Sequence, residues 1–496
     1  MTFDECELSV LRNAVDEIQA QEGKKIANSD EVQKIIKILE DFLKQKRTIC
    51  YGGTAINAIL PKFAQFYNRD VEIPDYDFYS KTPMEDAKEL ADIFYKHGYT
   101  EVEAKSGVHH GTYKVFVSFI PIADLTYLDP QIFDTMSKEA IEVAGILYAP
   151  PNFLRMNMFL ELSRPLGDVT RWEKIAKRLA ILNKFYPMKP PFDCGTVDFQ
   201  RKMVNYKSEG EHIYFLVRDA FIEQSAIFFG GYASTLYSRY MPENLRHIIR
   251  KIPDFDVIIE DPEKCALIVK ERLIREGFKK VRTIEHPAIG ELIPRHLEIR
   301  IGRETLAFLF EPIACHSYNK IRIKGMEVRV ATIYTMLSFY FAFYYSKQPY
   351  FYKDRILCMA KFLFDVEQKN RLEQRGLLKR FSINCYGTQK TIESIRAEKA
   401  AKFRELKDRR NNREYEEWFL RYNPGMKTEA PPPPKHKKKT RKQKPHPRVS
   451  EGSEMRSIGA PTQYDGDAKH RRHVTAVKKR KVKSRTMKLP FGIEIV

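Results

Sequence analysis

Two copies of one motif series run through the chain, and this repeat constrains the fold more than any other feature of the sequence. Each copy has a Gly-Gly turn, an Asp-x-Asp pair and a later Pro-Ile-Ala segment. In the first copy these are Tyr51-Gly-Gly-Thr, Ile73-Pro-Asp-Tyr-Asp and Ile120-Pro-Ile-Ala-Asp; in the second they are Phe229-Gly-Gly-Tyr, Ile252-Pro-Asp-Phe-Asp and Glu311-Pro-Ile-Ala-Cys. Three signals in the same order at similar spacing indicate a duplicated domain.

The patterns around the motifs predict the same elements in both copies. Apolar residues at helical spacing, from Val32 to Leu43, precede the first Gly-Gly turn, with Ser29 or Asp30 as the N-cap. A short strand is predicted at 48–51. Further helices are predicted at 84–97 and 263–276, each ended by a glycine, and strands at 113–125 and 297–313. This order predicts an α/β protein (α+β in arrangement) in which two tandem units each form a small mixed sheet flanked by helices.

The length of 496 residues is too great for one typical core, so several domains are expected. We expect an active unit with N-terminal helices over 1–190, a degenerate repeat over 191–350, a helical region over 351–426 and a basic tail over 427–496. The tail holds 20 Lys and Arg against 6 Asp and Glu, most of the net charge of +20. Its four opening prolines and few apolar residues predict disorder. Tethering of RNA, nuclear import and solubility are three roles for it, and the amount of charge favours the tether.

Candidate chemistry begins at Gly52-Gly53-Thr54, where a strand passes into a helix. Glycines let a ligand approach the backbone closely, and free amides at a helix start favour phosphate. A Gly-Gly pair by itself most often marks only a turn, so this motif needs support from elsewhere in the chain.

That support comes from three carboxylates. Asp75 and Asp77 alternate along a predicted strand, so both project from one face. An isolated pair of this kind most often marks a solvent-facing acidic edge. Asp124 changes the interpretation, because it follows an apolar run, 115–123, where an unpaired charge is costly. Three carboxylates on adjacent strands beside a phosphate-binding turn predict a site for two hard divalent cations.

These motifs resemble those of the DNA polymerase β-like nucleotidyltransferases. The duplicated layout, over most of residues 30–350, more narrowly resembles the poly(A) polymerase catalytic subunits of giant DNA viruses and poxviruses. Thr54 stands where that family usually has serine, a change that keeps the hydroxyl.

The resemblance implies template-independent polyadenylation of RNA 3′ ends, in which AMP passes from ATP to the RNA 3′ hydroxyl and pyrophosphate leaves. It implies two Mg²⁺ or Mn²⁺ ions. The predicted catalytic residues and metal ligands are Asp75, Asp77 and Asp124, and the predicted nucleotide contacts are Gly52, Gly53, Thr54, Asn152, Arg155 and Lys174. The basic stretch 171–178 fits either contact with triphosphate and RNA or a solvated helix face.

The resemblance also implies partners and a location. RNA and ATP are the expected substrates, with a homodimer or a separate processivity partner, and a viral protein of this kind would act in the host cytoplasm or virion. Nuclear import through the tail stays open. Seven scattered cysteines without a Cys-x-x-Cys pair predict free thiols in a reducing compartment. The apolar segment 331–345 is too short to span a bilayer, so no membrane partner is expected.

The second copy is predicted to be inactive. Cys315 occupies the position of Asp124 in the Pro-Ile-Ala alignment, and a thiol is a poor magnesium ligand. A second active site that recruits Glu311 is the less favoured alternative. For the whole chain, a terminal uridylyltransferase and a catalytically inactive RNA-binding subunit are the competing hypotheses.

Overall fold

The two motif series lie at corresponding positions in two mixed sheets of eight strands each. The computed structural model describes residues 3–27, 29–68, 74–200, 209–241, 243, 246 and 254–426. Both sheets belong to one compact unit, Met1–Glu429. The basic tail predicted at 427–496 lies outside the described residues.

Helices and runs of strands are interspersed along the chain. The helices are α1 Phe3–Ala27, α2 Asp30–Lys46, α3 Gly52–Ile59, α4 Pro83–Lys96, α5 Pro130–Ser137, α6 Pro151–Leu162, α7 Trp172–Phe185, α8 Gly210–Glu223, α9 Gly230–Tyr237, α10 Pro262–Arg275, α11 Ile333–Tyr345, α12 Lys353–Lys369, α13 Ile392–Leu406 and α14 Arg413–Phe419. The strands are β1 Ile49–Cys50, β2 Tyr76–Ser80, β3 Val102–Ser106, β4 Thr112–Val117, β5 Ile120–Tyr127, β6 Ile141–Val143, β7 Ile146–Tyr148, β8 Ile227–Phe229, β9 Phe255–Ile258, β10 Val281–His286, β11 His296–Ile301, β12 Glu304–Phe310, β13 His316–Ile323, β14 Met326–Ala331, β15 Cys385–Tyr386 and β16 Arg421–Tyr422.

The duplication predicted from the motifs is visible in the strand order. The first sheet reads β16-β3-β4-β5-β2-β1-β7-β6, and the second reads β10-β11-β12-β9-β8-β14-β13-β15. In this spatial order, the seven strands β3-β4-β5-β2-β1-β7-β6 of the first sheet match the seven strands β10-β11-β12-β9-β8-β14-β13 of the second. The pairing directions also agree. In particular, β2 pairs parallel with β5 as β9 does with β12. The α/β prediction with two tandem units is confirmed. The extra strands β16 and β15 extend opposite edges of the two sheets.

Local sequence explains where the helices begin and end. Ser29 caps α2 by accepting a hydrogen bond from the Val32 amide, and Asp30 and Glu31 in the first turn suit the positive end of the helix dipole. Gly98 and Gly277 follow α4 and α10 with φ of +94° and +87°, which is the left-handed conformation that ends helices. These predicted boundaries are therefore confirmed to within a residue or two.

Two segments predicted as single strands are hairpins. The segment 113–125 turns at Ser118 and Phe119, with φ of 48° and 66°, and continues as β5. A tight turn of that type normally carries Asn or Gly, and neither residue is present, so no local pattern predicts the turn. The segment 297–313 turns at Gly302, with φ of +58°, between β11 and β12.

The aromatic run at 339–345, for which the sequence favours core or a dimer surface over a platform for base stacking, lies in the core. It lies in α11, whose residues are almost all buried, and α11 packs against α6 and α12. Since α6 follows β7 as α11 follows β14, equivalent helices of the two repeats face each other. No helix among the described residues is both long and apolar enough to cross a membrane.

The expectation of free thiols throughout is wrong in this structure. Cys194 and Cys358 form a disulfide with Cα atoms 5.5 Å apart, and Cys315 and Cys385 form a second with Cα atoms 5.2 Å apart. Within each pair the cysteines are far apart in the chain, so spacing rules for local motifs could not reveal them. The remaining cysteines, Cys6, Cys50 and Cys265, are free.

Candidate active site

The Gly-Gly turn brings the start of α3 against the Asp77 carboxylate. The backbone N–H of Tyr51 donates to the Asp77 carbonyl at 2.9 Å, which fixes the turn to β2. Gly52 has φ of +72°, and a Cβ atom there would lie 2.8 Å from Asp77 Oδ2. Glycine is therefore required at this position on two grounds, conformation and space.

The predicted carboxylates share one face of the first sheet. Asp75 directly precedes β2, Asp77 lies within it, and Asp124 lies within β5. The parallel register places Asp77 opposite Asp124. Alternation along the strand directs Asp75 and Asp77 to the same side. The structure thus brings together three side chains that are up to 49 positions apart in sequence.

Lys114 is a site residue that sequence reasoning missed. It lies opposite Asp124 in the antiparallel register of β4 and β5, and its ammonium group forms an ion pair with the Asp124 carboxylate. The available signal was an alternating Thr112-Tyr-Lys114 pattern that directs the lysine to the same face as Thr112. Without the pairing register, this pattern could not be connected to Asp124.

The carboxylates destabilise one another in their ionised forms. Burial raises the pKa of Asp77 to about 7, and the charges of Asp75 and Asp124 act in the same direction. Burial and the Asp124 charge also raise the pKa of Asp75. Partly buried negative charges of this kind favour a cation, as the ion pair of Lys114 with Asp124 shows.

The donor set fits magnesium or manganese, because hard divalent ions select carboxylate oxygen. Asp75, Asp77 and Asp124 are the residues that would hold the ions. Among the described residues, no three acidic, histidine or cysteine side chains converge as a preformed ion site. Asp124 is engaged by Lys114 instead, so ion binding at all three carboxylates requires that pair to separate.

Helix α7 directs only part of its basic residues to this site. The charge of Lys174 acts on Asp75, and that of Arg171 acts on Asp77. A Cβ atom on Gly53 would lie 2.7 Å from Arg178 Nη2, so Arg178 lies against the glycine turn. Lys177 instead pairs with Glu173 at 2.6 Å, and both are exposed. Arg171, Lys174 and Arg178 therefore lie near the carboxylates or the glycine turn, and Lys177 lies on a solvated face.

Thr54 has a positioning contact. Its hydroxyl donates to the Asp75 carbonyl at 2.6 Å and is thereby engaged in holding the start of β2. Any phosphate contact at the turn therefore falls to the backbone of Gly52 and Gly53 rather than to this hydroxyl. The Tyr67 hydroxyl also lies at the turn, 2.6 Å from where a Gly53 Cβ would be, and it accepts a hydrogen bond from Arg178.

Arg155 does not fit its predicted role as a nucleotide contact. Its side chain is 1% exposed, and all three of its guanidinium nitrogens donate within the protein. The acceptors are Asn183 Oδ1 at 2.8 Å, Asn152 Oδ1 at 2.7 Å and the Tyr186 carbonyl. Through Asn183 and Tyr186, Arg155 holds α6 to the end of α7, and we assign it a structural role. The Oδ1 atom of Asn152 accepts within α6, and its nucleotide contact stays a prediction.

The second repeat keeps the turn but loses the carboxylate triad. Gly230 has φ of +67° and lies beside Asp256, as Gly52 lies beside Asp77. Opposite Asp256 on the parallel strand is Phe308, in the register position of Asp124. Opposite Phe308 is Glu298, in the position of Lys114. An aromatic ring therefore stands where the active copy has its third carboxylate.

The alignment of Cys315 with Asp124 is thus wrong. Cys315 follows β12, outside the register of Asp256, and is bonded to Cys385. The similarity of Pro312-Ile-Ala to Pro121-Ile-Ala misled the comparison, because the first lies after a strand and the second within one. The conclusion that the second metal site is incomplete remains a prediction and now depends on Phe308.

Comparisons with known proteins match the first repeat. Residues 37–168 match the family model described as Poly(A) polymerase catalytic subunit. A protein of Acanthamoeba polyphaga mimivirus, provisionally named a poly(A) polymerase catalytic subunit, is 35% identical over 164 residues, which are 32% of this chain and 27% of that protein. A protein with the same provisional name from an African swine fever virus isolate is 31% identical over 171 residues, 33% of this chain and 36% of that protein. The match thus spans about a third of the length of these curated relatives.

The fold extends the likeness beyond the first repeat. The crystal structure of the Megavirus polyadenylate synthase superposes with a TM-score of 0.70 and 21% sequence identity, covering 84% of this chain and 85% of that one. The chain is therefore similar in sequence to viral proteins of that provisional name over about a third of its length and similar in fold to a polyadenylate synthase over most of its length. The resemblance inferred from the motifs is confirmed.

Proposed function

We propose that this chain is a polynucleotide adenylyltransferase that transfers AMP from ATP to the 3′ hydroxyl of RNA without a template. The observation that carries the proposal is the position of Asp75, Asp77 and Asp124 on one sheet face beside the Gly52-Gly53 turn. A glycine turn at a helix start and three carboxylates are the two components that phosphoryl transfer from a nucleoside triphosphate requires.

Different groups of the site interact with ATP and with the acceptor hydroxyl. The backbone amides of Gly52 and Gly53 at the start of α3 bind phosphate oxygens of ATP. Lys174 and Arg171, on the face of α7 that reaches Asp75 and Asp77, neutralise the triphosphate. Two divalent ions held by the carboxylates supply charge neutralisation and activate the acceptor hydroxyl when bound. The protein itself mainly positions the reactants.

Lys114 has a separate role in this scheme. It neutralises Asp124 before the substrates arrive, which spares the fold an unpaired carboxylate within the sheet. Once the ion pair separates, its ammonium group is available to the negatively charged acceptor strand. We therefore place Lys114 on the acceptor side of the site.

The second repeat is proposed to be non-catalytic. Asp254 and Asp256 lack a third carboxylate, because Phe308 occupies its register position. The site of the second repeat cannot then hold two ions by the arrangement of the first. Its proposed role is to support the active unit through the packing of α11 on α6.

Transfer of UMP is the second candidate function, because nothing in the carboxylate triad or the glycine turn selects a base. An inactive RNA-binding subunit is the third, and the net charge of +20 is its support. Both alternatives share the fold, so activity must separate them.

The test supplies purified protein with a labelled oligo(A) acceptor, Mg²⁺ or Mn²⁺, and each of the four nucleoside triphosphates in turn. Products are resolved on a denaturing gel. We expect a ladder with ATP, no ladder from Asp75→Ala/Asp77→Ala, and a retained ladder from the matched change in the second repeat, Asp254→Ala/Asp256→Ala. Extension with UTP alone would show that the substrate is UTP rather than ATP. Absence of extension with every nucleotide, in a folded protein with both ions, would contradict the proposal.

A further inference from the structure

A cavity of about 450 Å³ opens near the carboxylates, at the ends of β2 and β5. Its lining includes the side chains of Tyr51, Thr112 and Thr126. Thr126 follows Asp124 by two residues and Thr112 precedes Lys114 by two, so both lie on the face that carries the site. The cavity therefore continues the active site along the strands, on the side of Asp124 and Lys114.

Three hydroxyl groups in this lining form one cluster. The Tyr51 hydroxyl lies 3.0 Å from Thr126 Oγ1, and Thr112 Oγ1 lies 3.3 Å from Thr126 Oγ1. The Tyr51 ring stacks on Tyr79 with centroids 3.9 Å apart, which fixes its hydroxyl in place. Each hydroxyl can both donate and accept, so the cluster suits a ligand group with the same property, another hydroxyl.

The second repeat has aromatic residues at the positions that correspond to this hydroxyl cluster. Thr112 pairs with Thr126 in the first sheet, and the matching pair in the second is His296 with Phe310. Tyr51 precedes Gly52 as Phe229 precedes Gly230. Ring centroids of His296 and Phe310 are 4.5 Å apart, and those of Phe229 and Phe310 are 5.3 Å apart. Aromatic rings therefore fill the place of the hydroxyls in the repeat that lacks the carboxylate triad.

The second repeat also contributes to the wall of the cavity. The longer loop between β10 and β11 places Glu291 in the cavity wall. In the same loop, a Cβ atom on Gly290 would lie 3.2 Å from Asp129 Cβ of the first repeat. The enclosed volume falls within the range of about 300–1,000 Å³ that small-ligand sites occupy, and it suits a nucleoside.

We propose that this cavity receives the 3′-terminal nucleoside of the acceptor strand and that the Tyr51, Thr112 and Thr126 cluster binds its 2′ hydroxyl. This inference rests on the proposed function. Thr126 lies about 7 Å from Asp124 along one strand face. The 2′ and 3′ hydroxyls sit on neighbouring ribose carbons, so an acceptor whose 3′ hydroxyl faces Asp124 has its 2′ hydroxyl within reach of Thr126 on the same strand face. The site then distinguishes RNA ends from DNA ends at one residue.

The experiment uses three oligo(A) acceptors of equal length. One is all ribose, one has a 2′-deoxy sugar only at the 3′ terminus, and one has it only at the penultimate residue. A site built to bond a hydroxyl discriminates against the analogue that lacks it. We expect the terminal 2′-deoxy sugar to lower kcat/KM for single-nucleotide addition by about tenfold or more. The penultimate change should have little effect. Fluorescence anisotropy without ATP or metal supplies an independent measure of acceptor affinity. We expect the terminal 2′-deoxy acceptor to bind more weakly than the other two.

Two variants assign the effect to the cluster. Thr126→Val keeps the shape, and Tyr51→Phe keeps the stack on Tyr79, while each removes one hydroxyl. Both should lower the ribose-to-deoxy ratio by several-fold, chiefly by weakening addition to the all-ribose acceptor. The matched control is Thr283→Val, the same change at an exposed position on β10, which should keep the parent ratio.

The outcomes separate the inference from the proposed function. Extension of both terminal sugars at equal rates by the parent protein would overturn the inference and leave the adenylyltransferase proposal intact. Discrimination that persists unchanged in both folded variants would also overturn it. Absence of extension with every acceptor and nucleotide would overturn the proposed function, and the inference with it. Thermal melts establish that each variant is folded, and Tyr51→Phe decides the question if Thr126→Val does not fold.

Discussion

At Asp77, the position that suits catalysis opposes folding. The carboxylate lies against the Gly52 turn, faces Asp124 across two strands and has Asp75 two residues away. Burying like charges together costs free energy unless a cation compensates, and among the described residues only Asp124 of the three has an ion pair, with Lys114. The arrangement is understandable only for a site whose ligand brings positive charge.

Replacement of Asp77 by asparagine should therefore stabilise the metal-free protein. Asp77→Asn keeps the shape and removes one of the opposed charges, so the free energy of unfolding should rise by about 1–2 kcal/mol while turnover is lost. Added Mg²⁺ should raise the melting temperature of the parent but not of the variant, because a ligand stabilises only the state it binds. Thermal melts with EDTA and with Mg²⁺ measure both effects. A lower melting temperature of Asp77→Asn in EDTA would contradict this account.

Arg155 provides the opposite case, a charged residue whose contribution is structural. Arg155→Met leaves the Asn152, Asn183 and Tyr186 acceptors without their buried donor, so the free energy of unfolding should fall by about 3 kcal/mol. Urea unfolding measures the loss, with the exposed Lys177→Met as the control. The KM for ATP of the folded variant should match that of the parent. A raised KM for ATP with unchanged stability would instead support the predicted contact of Arg155 with the nucleotide.

At the scale of elements, two neighbouring lysines of α7 differ in their partners, since the charge of Lys174 acts on Asp75 and Lys177 pairs with Glu173. Lys174→Ala should raise the KM for ATP about tenfold, since a hydrogen bond to a charged group is lost. Lys177→Ala should leave it unchanged, because that side chain pairs with Glu173 in solvent. Steady-state kinetics with varied ATP compare the two variants directly. Equal effects would mean that the helix contributes only diffuse positive charge.

Strand β13 begins at a histidine that should make stability depend on pH. His316 is fully buried, has no hydrogen-bond partner for either ring nitrogen among the described residues, and lies near Arg164. Burial lowers the pKa of His316 to about 3, and the Arg164 charge acts in the same direction. Between pH 6.5 and 3 the unfolded chain takes up a proton that the folded chain excludes. Stability should therefore fall with decreasing pH, by about 1.4 kcal/mol per pH unit from this residue.

The variant His316→Phe should remove that component. Relative to the parent, it should gain about 2 kcal/mol of unfolding free energy on going from pH 7 to pH 5, as urea unfolding at both values would show. The same substitution at the exposed His109 serves as the control. Parallel pH profiles of the parent and His316→Phe would show that His316 is not the group responsible.

Elements with strong local signals were predictable, and those fixed by distant pairing were not. Periodicity and capping located α2, α4 and α10, and the repeated motifs located the carboxylates. The hairpin at Ser118-Phe119 escaped because its turn lacks Asn or Gly. Lys114 and Phe308 were not predicted, because their positions beside the site depend on the register of one strand against another, which no local pattern contains.

At the scale of the whole molecule, the duplication explains how one sheet can be specialised for catalysis. Both repeats share strand order and pairing direction, and α6 packs against α11. The second repeat has replaced polar site residues with aromatic core, which favours folding, while the first keeps a charged and hydroxyl-lined face. The loop between β10 and β11 places Glu291 of the second repeat in the wall of the cavity beside the first sheet. Under the proposed function, the second repeat serves to stabilise the first and to complete its cavity.

The basic tail, which lies outside the described residues, should act on RNA retention rather than on the chemical step. Residues 427–496 carry 20 Lys and Arg against 6 Asp and Glu. Contacts of such a segment with phosphates release counterions, so they strengthen binding at low salt and weaken it as salt rises. A chain ending at residue 426 should add one nucleotide as fast as the full chain under saturating acceptor. Its products per binding event should be shorter, and its acceptor affinity should depend less steeply on salt.

A trapping experiment measures this directly. Enzyme bound to labelled oligo(A) is started with ATP together with an excess of unlabelled acceptor, so that product length reports a single binding event. A second variant, in which the tail's 20 Lys and Arg are changed to Gln, separates charge from length. Because counterion release depends on the charges alone, this variant should behave as the truncated chain does. Products of full length from the Gln variant would show that charge is not what retains the RNA, and unchanged products from the truncated chain would remove the tail from processivity altogether.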